Sequence, residues 1–460
     1  MTLELPETIF RTYDVRGVVG EGFDVPQVEA IGRALGSEAR ERGATRIALG
    51  RDGRLSGPRL MDAMAAGLQA TGLEVLDLGC VPTPVLYFAA HTRTDGNGVM
   101  VTGSHNPPDY NGLKMMVGGE TLSGDAITGL RRRFRENRLT SGRGGRRDVA
   151  VSEEYLQRIV SDISLRRRLK VVVDCGNGAA GVLAPELLRR LGCEVVELFC
   201  EVDGRFPNHH PDPSQPENLA DLARTVARSG AHVGFAFDGD GDRLGVVTPE
   251  GKPVWPDRLM ILFARDVLSR RPGAKIIYDV KCSGRLGDAV RAAGGTPEMW
   301  LTGHSLLKAR LKATAAPLAG EMSGHFFFAE RWYGFDDALY AAARLAEILT
   351  ADIRSPSEVF AALPDAINTP ELRVEMAEGE PQCFMEALSA RTGMFAGAQL
   401  TTIDGVRADF ADGWGLVRCS NTTPSLVLRF EADDASGLHR IQARFRQVMQ
   451  DVQPGIELPF

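Results

Sequence analysis

Apolar residues fall into short continuous runs along this chain, each closed by a polar loop, and the runs recur as a series. Three of them open similar stretches. Ile47-Ala48-Leu49 leads into Arg51-Asp52-Gly53, Val171-Val172-Val173 into Asp174-Cys175-Gly176-Asn177-Gly178, and Ile276-Ile277-Tyr278 into Asp279-Val280-Lys281-Cys282. A second strand follows each, near Val75, Val195 and Met299. A third then ends in the densest polar loop of its unit: Thr102-Gly103-Ser104-His105, Asp238-Gly239-Asp240-Gly241-Asp242-Arg243, and Gly320-Glu321-Met322-Ser323-Gly324-His325. Between the strands, apolar residues recur every three or four positions, as over Ser56 to Leu68 and Pro185 to Leu191, which predicts amphipathic helices. The alternation predicts βαβ units with mainly parallel sheet, repeated three times. Open α/β sheets carry their chemistry beyond the strand C-termini, so each unit is expected to deliver one loop to a shared cleft.

The pattern changes after Pro364. Short β-branched segments, loops at Pro370, Pro381 and Gly393, and the strand Leu426-Val427-Leu428-Arg429-Phe430 predict an α+β domain that is no fourth copy of the repeat. A length of 460 residues agrees with about three or four domains. The net charge of −7 argues against a nucleic-acid partner. No apolar run reaches the roughly 20 residues that cross a membrane. Seven cysteines are scattered singly and the first residues lack a secretory pattern, so a cytoplasmic protein with reduced thiols is expected.

Ser104 ends the apolar run Gly98-Val99-Met100-Val101, which places a hydroxyl at a strand C-terminus. Such a hydroxyl attacks an acyl carbon or carries a phosphoryl group. A hydrolase is disfavoured: the G-x-S-x-G elbow is missing, and adjacent Ser104 and His105 do not readily hold a Ser–His geometry. Asp238, Asp240 and Asp242 alternate with glycines that permit a tight bend. Three carboxylates held this close call for a cation, and hard oxygen ligands favour Mg²⁺. A calcium EF-hand loop is excluded, because Arg243 and Pro249 stand where it needs glycine and glutamate. Arg243, beside these carboxylates, suits a phosphate.

Arg418, Ser420, Asn421, Thr422 and Thr423 form either a phosphate cradle or a polar turn. Glu321 and Ser323, at alternating positions, can both face a ligand, and a carboxylate suits vicinal sugar hydroxyls. His304 and His325 serve equally as structural or catalytic residues. Lys114 and Arg16 read as solvated charges or as substrate contacts.

Together these motifs resemble the α-D-phosphohexomutase superfamily over essentially the whole chain. The serine loop at Thr102 to Pro107, the aspartate loop, the Gly320 to His325 loop and the Arg418 to Thr423 loop occur in the family's order. Glu321-Met322-Ser323 and the opening Ile9 to Gly17 are similar to the bacterial phosphomannomutase/phosphoglucomutase branch; phosphoglucosamine mutases more typically carry glutamine at the position of Met322. The resemblance implies three related α/β mixed-sheet domains and a C-terminal α+β domain of TATA-binding-protein-like fold around a central cleft, divided at 1–149, 150–252, 253–364 and 365–460. It implies reversible phosphoryl transfer between C1 and C6 of mannose and glucose phosphates, through phosphorylated Ser104 and a 1,6-bisphosphosugar, with phosphoglucosamine mutase as the alternative.

Ser104, Asp238, Asp240 and Asp242 are then the Mg²⁺ ligands, with glucose 1,6-bisphosphate or mannose 1,6-bisphosphate as activator. Ser104, Arg243, Lys114, His304 and His325 are the catalytic candidates. Tyr13, Arg16, Lys281, Glu321, Ser323, Arg418, Ser420, Asn421 and Thr422 are the substrate contacts. A monomer or weak dimer with no nucleic-acid or membrane partner is expected, hinged near residues 360 to 370.

Overall fold

The computed structural model describes residues 3–421 and 423–460. In all three α/β units the first strand lies between the second and the third. Arg46–Arg51 pairs in parallel with Glu74–Cys80 and Gly98–Val101. Lys170–Asp174 does so with Glu194–Leu198 and Val233–Phe237, and Lys275–Asp279 with Thr296–Trp300 and Leu318–Gly320. A fourth strand then returns antiparallel to the third: Tyr110–Val117, Leu244–Val247 and Phe326–Phe328. The three polar loops are therefore connections between antiparallel neighbours, a turn that the run-and-loop pattern alone does not reveal. Helices form where the apolar spacing places them, at Gly57–Gln69 and Ala184–Arg190.

The strand interiors are buried on both faces, as the uninterrupted apolar runs require. One continuous apolar core runs through all three units, from Ala48 and Leu86 through Val171 and Phe235 to Phe263 and Leu345. After Pro364 the chain builds an antiparallel sheet in which Ser425–Ala432 lies beside Gly413–Cys419, followed by Val406–Phe410 and Gln399–Thr401. Glu380–Ser389 and Ala435–Val452 are its main helices, and its core, around Phe430 and Phe445, is its own.

The third and fourth domains meet mainly through arginines. Arg407 donates to the carbonyls of Val280 (2.7 Å) and Cys282 (2.6 Å) and lies 3.8 Å over the Trp414 ring. Arg429 donates to the Lys281 carbonyl and to Asp257 (3.0 Å). A small apolar cluster of Val280, Trp414 and Leu416 also spans the seam. Among the described residues no helix is long and apolar enough to cross a membrane.

Candidate active site

The first strand of each unit ends in a buried aspartate that pins the loops around it. Asp52 accepts from the Thr102 hydroxyl (2.7 Å) and the Gly103 amide (3.2 Å). Asp174 accepts from the Gly176 amide (2.9 Å). Asp279 accepts from the Met322 amide (3.1 Å) and the Thr302 hydroxyl (3.0 Å). The Ser104 loop and the Glu321 loop are thus tied to the strand beside them by buried, charge-assisted hydrogen bonds.

Ser104 is buried and adopts φ +49°, a left-handed conformation unusual for a residue with a Cβ. Its Oγ donates to Asp238 Oδ2 at 3.0 Å and lies 3.3 Å from His105 Nδ1. The serine and aspartate loops meet at Gly239, where a Cβ would come within 2.3 Å of the Ser104 carbonyl oxygen. Gly241 (φ +76°) turns the aspartate loop, and its amide donates back to the Asp238 carbonyl (3.1 Å). Asp238, Asp240 and Asp242 are fully buried, with ligand oxygens all within 4.8 Å of one another.

Lys114 is buried between them and donates to Asp240 (2.7 Å) and Asp242 (2.5 Å). It is no surface charge. Burial works against its ammonium, but the two carboxylates outweigh that and hold its pKa well above the ordinary range. Asp238 is raised well above the carboxylate range, by burial and by its two neighbours. Burial also pushes Asp240 up, but Lys114 prevails and holds it down. Asp240 Oδ1 and Asp242 Oδ1 are buried without a hydrogen-bond donor among the described residues. Two orphaned anionic oxygens beside a third carboxylate fit a hard divalent cation, which needs oxygen donors.

Above this floor opens a cleft of about 810 Å³, lined by residues from all four domains. Arg16 reaches it from the first, donating to Asn106 (2.7 Å) and Asp14. Arg243 Nε donates to His325 Nε2 (3.0 Å), so the His325 proton resides on Nδ1, 3.0 Å from Asp336. His304 stacks on His325 with ring centroids 5.6 Å apart, and its Nδ1 lies 3.6 Å from the same Asp336. Burial and nearby Lys308 push the His304 pKa well down, although Asp336 opposes this, so the ring is neutral at pH 7. Glu321 accepts from the Gly303 amide (2.6 Å) and from the Ser323 hydroxyl (2.9 Å).

The fourth domain supplies the opposite rim. Arg418 Nε donates to Asp404 (2.9 Å), while its buried Nη2 has no acceptor among the described residues. Asn421 donates to the Tyr13 hydroxyl, which in turn donates to the Thr302 carbonyl (2.5 Å). The Ser420 amide donates to the Ser425 carbonyl (2.8 Å). Lys281 is buried and bound to Glu371 (2.5 Å). Thr422 lies outside the described residues.

Sequence reasoning did not single out Asp336, Lys308, Glu371, Asp404 or Arg54. Asp336 holds Lys308 (2.9 Å) beside both histidines. One signal was available: Asp336-Asp337 precedes an apolar helix that needs only one aspartate as its cap, and Asp337 supplies it. Asp404, in Asp404-Gly405, reads as an ordinary turn.

Three α/β units around a buried serine and aspartate cluster, with a separate antiparallel domain closing the rim, define a phosphohexomutase-type architecture. Residues 7–141, 153–251, 255–367 and 371–448 match the phosphoglucomutase/phosphomannomutase alpha/beta/alpha domains I, II and III and the C-terminal domain. The chain belongs to the phosphoglucomutase/phosphomannomutase family. It is 54% identical over 456 residues to the phosphomannomutase/phosphoglucomutase of Pseudomonas aeruginosa, covering 99% of this chain and 98% of that one. A solved phosphoglucomutase/phosphomannomutase family protein from Burkholderia thailandensis is 51% identical, with a TM-score of 0.94 over 99% of this chain and 100% of that chain. The fold extends to Aspergillus fumigatus N-acetylphosphoglucosamine mutase, solved with GlcNAc-6P and magnesium, at 16% identity and a TM-score of 0.55 over 88% and 82% of the two chains.

Proposed function

We propose that the protein interconverts the 1- and 6-phosphates of glucose and mannose, with Ser104 as the phosphoryl carrier. Family membership across all four domains, with 54% identity over nearly the full length, makes it a hexose-phosphate C1/C6 mutase. One observation supports Ser104 above others: its hydroxyl lies 3.0 Å from Asp238, and His105 and Arg243, from the same two loops, line the cleft with Glu321 and Arg418.

Asp238, Asp240 and Asp242, with an oxygen on Ser104, are the residues that would hold Mg²⁺. When bound, that ion supplies neutralisation of charge on the transferring phosphoryl oxygens. In the forward step the phosphoserine O–P bond breaks as a bond forms to the free hydroxyl oxygen of the hexose phosphate, whose proton passes to a base of the site. The resulting 1,6-bisphosphosugar turns over within the cleft. Ser104 Oγ then takes the other phosphoryl group and the proton returns, leaving the isomeric monophosphate. His304, stacked on His325 and 3.6 Å from Asp336, is a candidate to exchange that proton. His325 Nε2 is occupied by Arg243, so these two act as a unit. Lys114, held by Asp240 and Asp242, positions hydroxyls or relays a proton.

Arg418, Ser420, Asn421 and Thr422 grip the phosphate that is not reacting, and Tyr13, Arg16 and Lys281 complete the substrate contacts. Glu321 serves both orientations because the C3 and C4 hydroxyls approximately exchange places when the sugar flips. Glucose and mannose differ at C2, which such a site ignores. A preference above roughly a thousandfold would require a dedicated contact of about 4 kcal/mol. The chain divides at 1–149, 150–252, 253–364 and 365–460, and the protein is a cytoplasmic monomer or weak dimer with glucose 1,6-bisphosphate or mannose 1,6-bisphosphate as activator.

The test is peptide mapping after incubation with glucose 1,6-bisphosphate. Phosphate on Ser104 is expected, and failure to acquire it there overturns the carrier role. Faster turnover of glucosamine 6-phosphate than of mannose 6-phosphate would move the protein to the phosphoglucosamine mutase alternative.

A further inference from the structure

Beneath the serine loop lies a guanidinium that the reaction as described does not use. Arg54 is almost fully buried, in the polar loop after the first strand of the first unit. Its Nη2 donates to the carbonyls of Ser104 (2.9 Å) and Asn106 (2.6 Å), and its Nη1 to those of Tyr110 (2.9 Å) and Pro107. Its Nε donates to Asp52 (3.2 Å), the carboxylate that also holds Thr102 and Gly103. The Phe206 ring of the second unit covers it at 5.2 Å. One planar fork thus gathers three carbonyls from the loop that carries Ser104 and one from the strand that follows it, and a Cβ at Gly103 would come within 2.5 Å of the guanidinium carbon.

We infer that Arg54 is a positioning residue for phosphoryl transfer at Ser104, resting on the reading of Ser104 as the carrier. Two consequences of the geometry support this. Ser104 sits at φ +49°, which an L-residue holds only when its surroundings over-determine it; the bond from Arg54 to the Ser104 carbonyl supplies that constraint. The Ser104–His105 peptide also turns its carbonyl toward the guanidinium, so its N–H points to the opposite side. That His105 amide has no acceptor among the described residues, which leaves it as a donor for a phosphoryl oxygen on the neighbouring hydroxyl. A lysine in place of Arg54 keeps the charge but cannot reproduce the planar fork.

The experiment compares wild type, Arg54→Lys, Arg54→Ala and Asp52→Asn. It measures conversion of glucose 1-phosphate, labelling of Ser104 by glucose 1,6-[³²P]bisphosphate, and melting temperature. For R54K, kcat is expected to fall roughly 100-fold, with KM for glucose 1-phosphate within about threefold of wild type and slower labelling. Millimolar guanidinium is expected to restore part of the loss in R54A. R54K with near-wild-type kcat, or an R54A loss that guanidinium leaves untouched and that follows a lowered melting temperature, would overturn the assignment. Should neither Arg54 variant fold, D52N decides. It withdraws the charge that aligns the guanidinium through Nε, and an unchanged kcat there would overturn the assignment equally. Absence of label on wild-type Ser104 would instead strike the carrier reading itself.

Discussion

The floor and the rim of the cleft are built on different principles. The floor belongs to three α/β units that share one continuous apolar core, and its polar groups are locked by buried hydrogen bonds across unit boundaries, Ser104 to Asp238 and Lys114 to Asp240 among them. The rim at Arg418 and Asn421 belongs to a domain with its own core, joined through arginines, one small apolar cluster and the Lys281–Glu371 pair. A close-packed apolar seam resists displacement, whereas hydrogen bonds and ion pairs at a thin seam exchange with water at little net cost. In the proposed function the contrast puts chemistry on the part with the larger apolar seam and grip on the part with the thinner one, an arrangement that suits a ligand turning over inside the site.

The largest effect expected from breaking this division lies at the floor. Ser104→Ala removes the proposed carrier oxygen and is expected to lower kcat by at least about 10⁴-fold, measured in a coupled glucose 6-phosphate assay. A loss below tenfold would place the transferred group elsewhere. Arg418→Ala acts at the rim. Losing a charged phosphate contact is expected to reduce kcat/KM by roughly 10- to 150-fold, or about 1.5–3 kcal/mol, while Ser104 still labels in the bisphosphate assay. Loss of labelling in that variant would merge floor and rim into one unit.

Phe430→Ala tests the separate cores. It is expected to destabilise the fourth domain by about 3–5 kcal/mol and to split calorimetric unfolding into two transitions, the upper one close to that of wild type. A single transition displaced as a whole would show that the seam couples the domains fully.

A smaller effect comes from pH. Glu371 is lifted by burial but held down by Lys281, which brings its pKa to about 2 from the usual 4.5. A depressed carboxylate pKa stabilises the seam above pH 4.5, and that contribution is lost as pH falls from there toward 2. Fourth-domain unfolding should come earlier over that window, and Glu371→Gln should flatten the dependence. The smallest expected signal is a decrease in radius of gyration by small-angle scattering on adding glucose 1,6-bisphosphate, from hinging near residues 360 to 370. No compaction would mean that the rim is as fixed as the floor.

Much of this was legible in the chain. The runs at Val171 and Ile276 announced their strands because a strand buried on both faces needs uninterrupted apolar residues, and Gly57–Gln69 followed its helical spacing closely. The loops at Ser104, Asp238 and Glu321 stood out because their polar residues are dense and local. Arg54, Asp336 and Glu371 did not. Each acts on partners far away in the sequence, and only Asp336, paired with the helix cap Asp337, leaves a local mark.

The amino-acid sequence by itself determined the repeated strand and helix pattern, the four domains and the inventory of reactive side chains, because each is written in residues that are neighbours along the chain. Only the tertiary structure decided that Lys114 is a buried partner of Asp240 and Asp242, that Arg243 holds His325, and that one arginine collects four carbonyls under Ser104. Burial and hydrogen-bond geometry are properties of distances in space, and the antiparallel return of each fourth strand, which faces these loops toward one another, leaves no local signature in the order of residues.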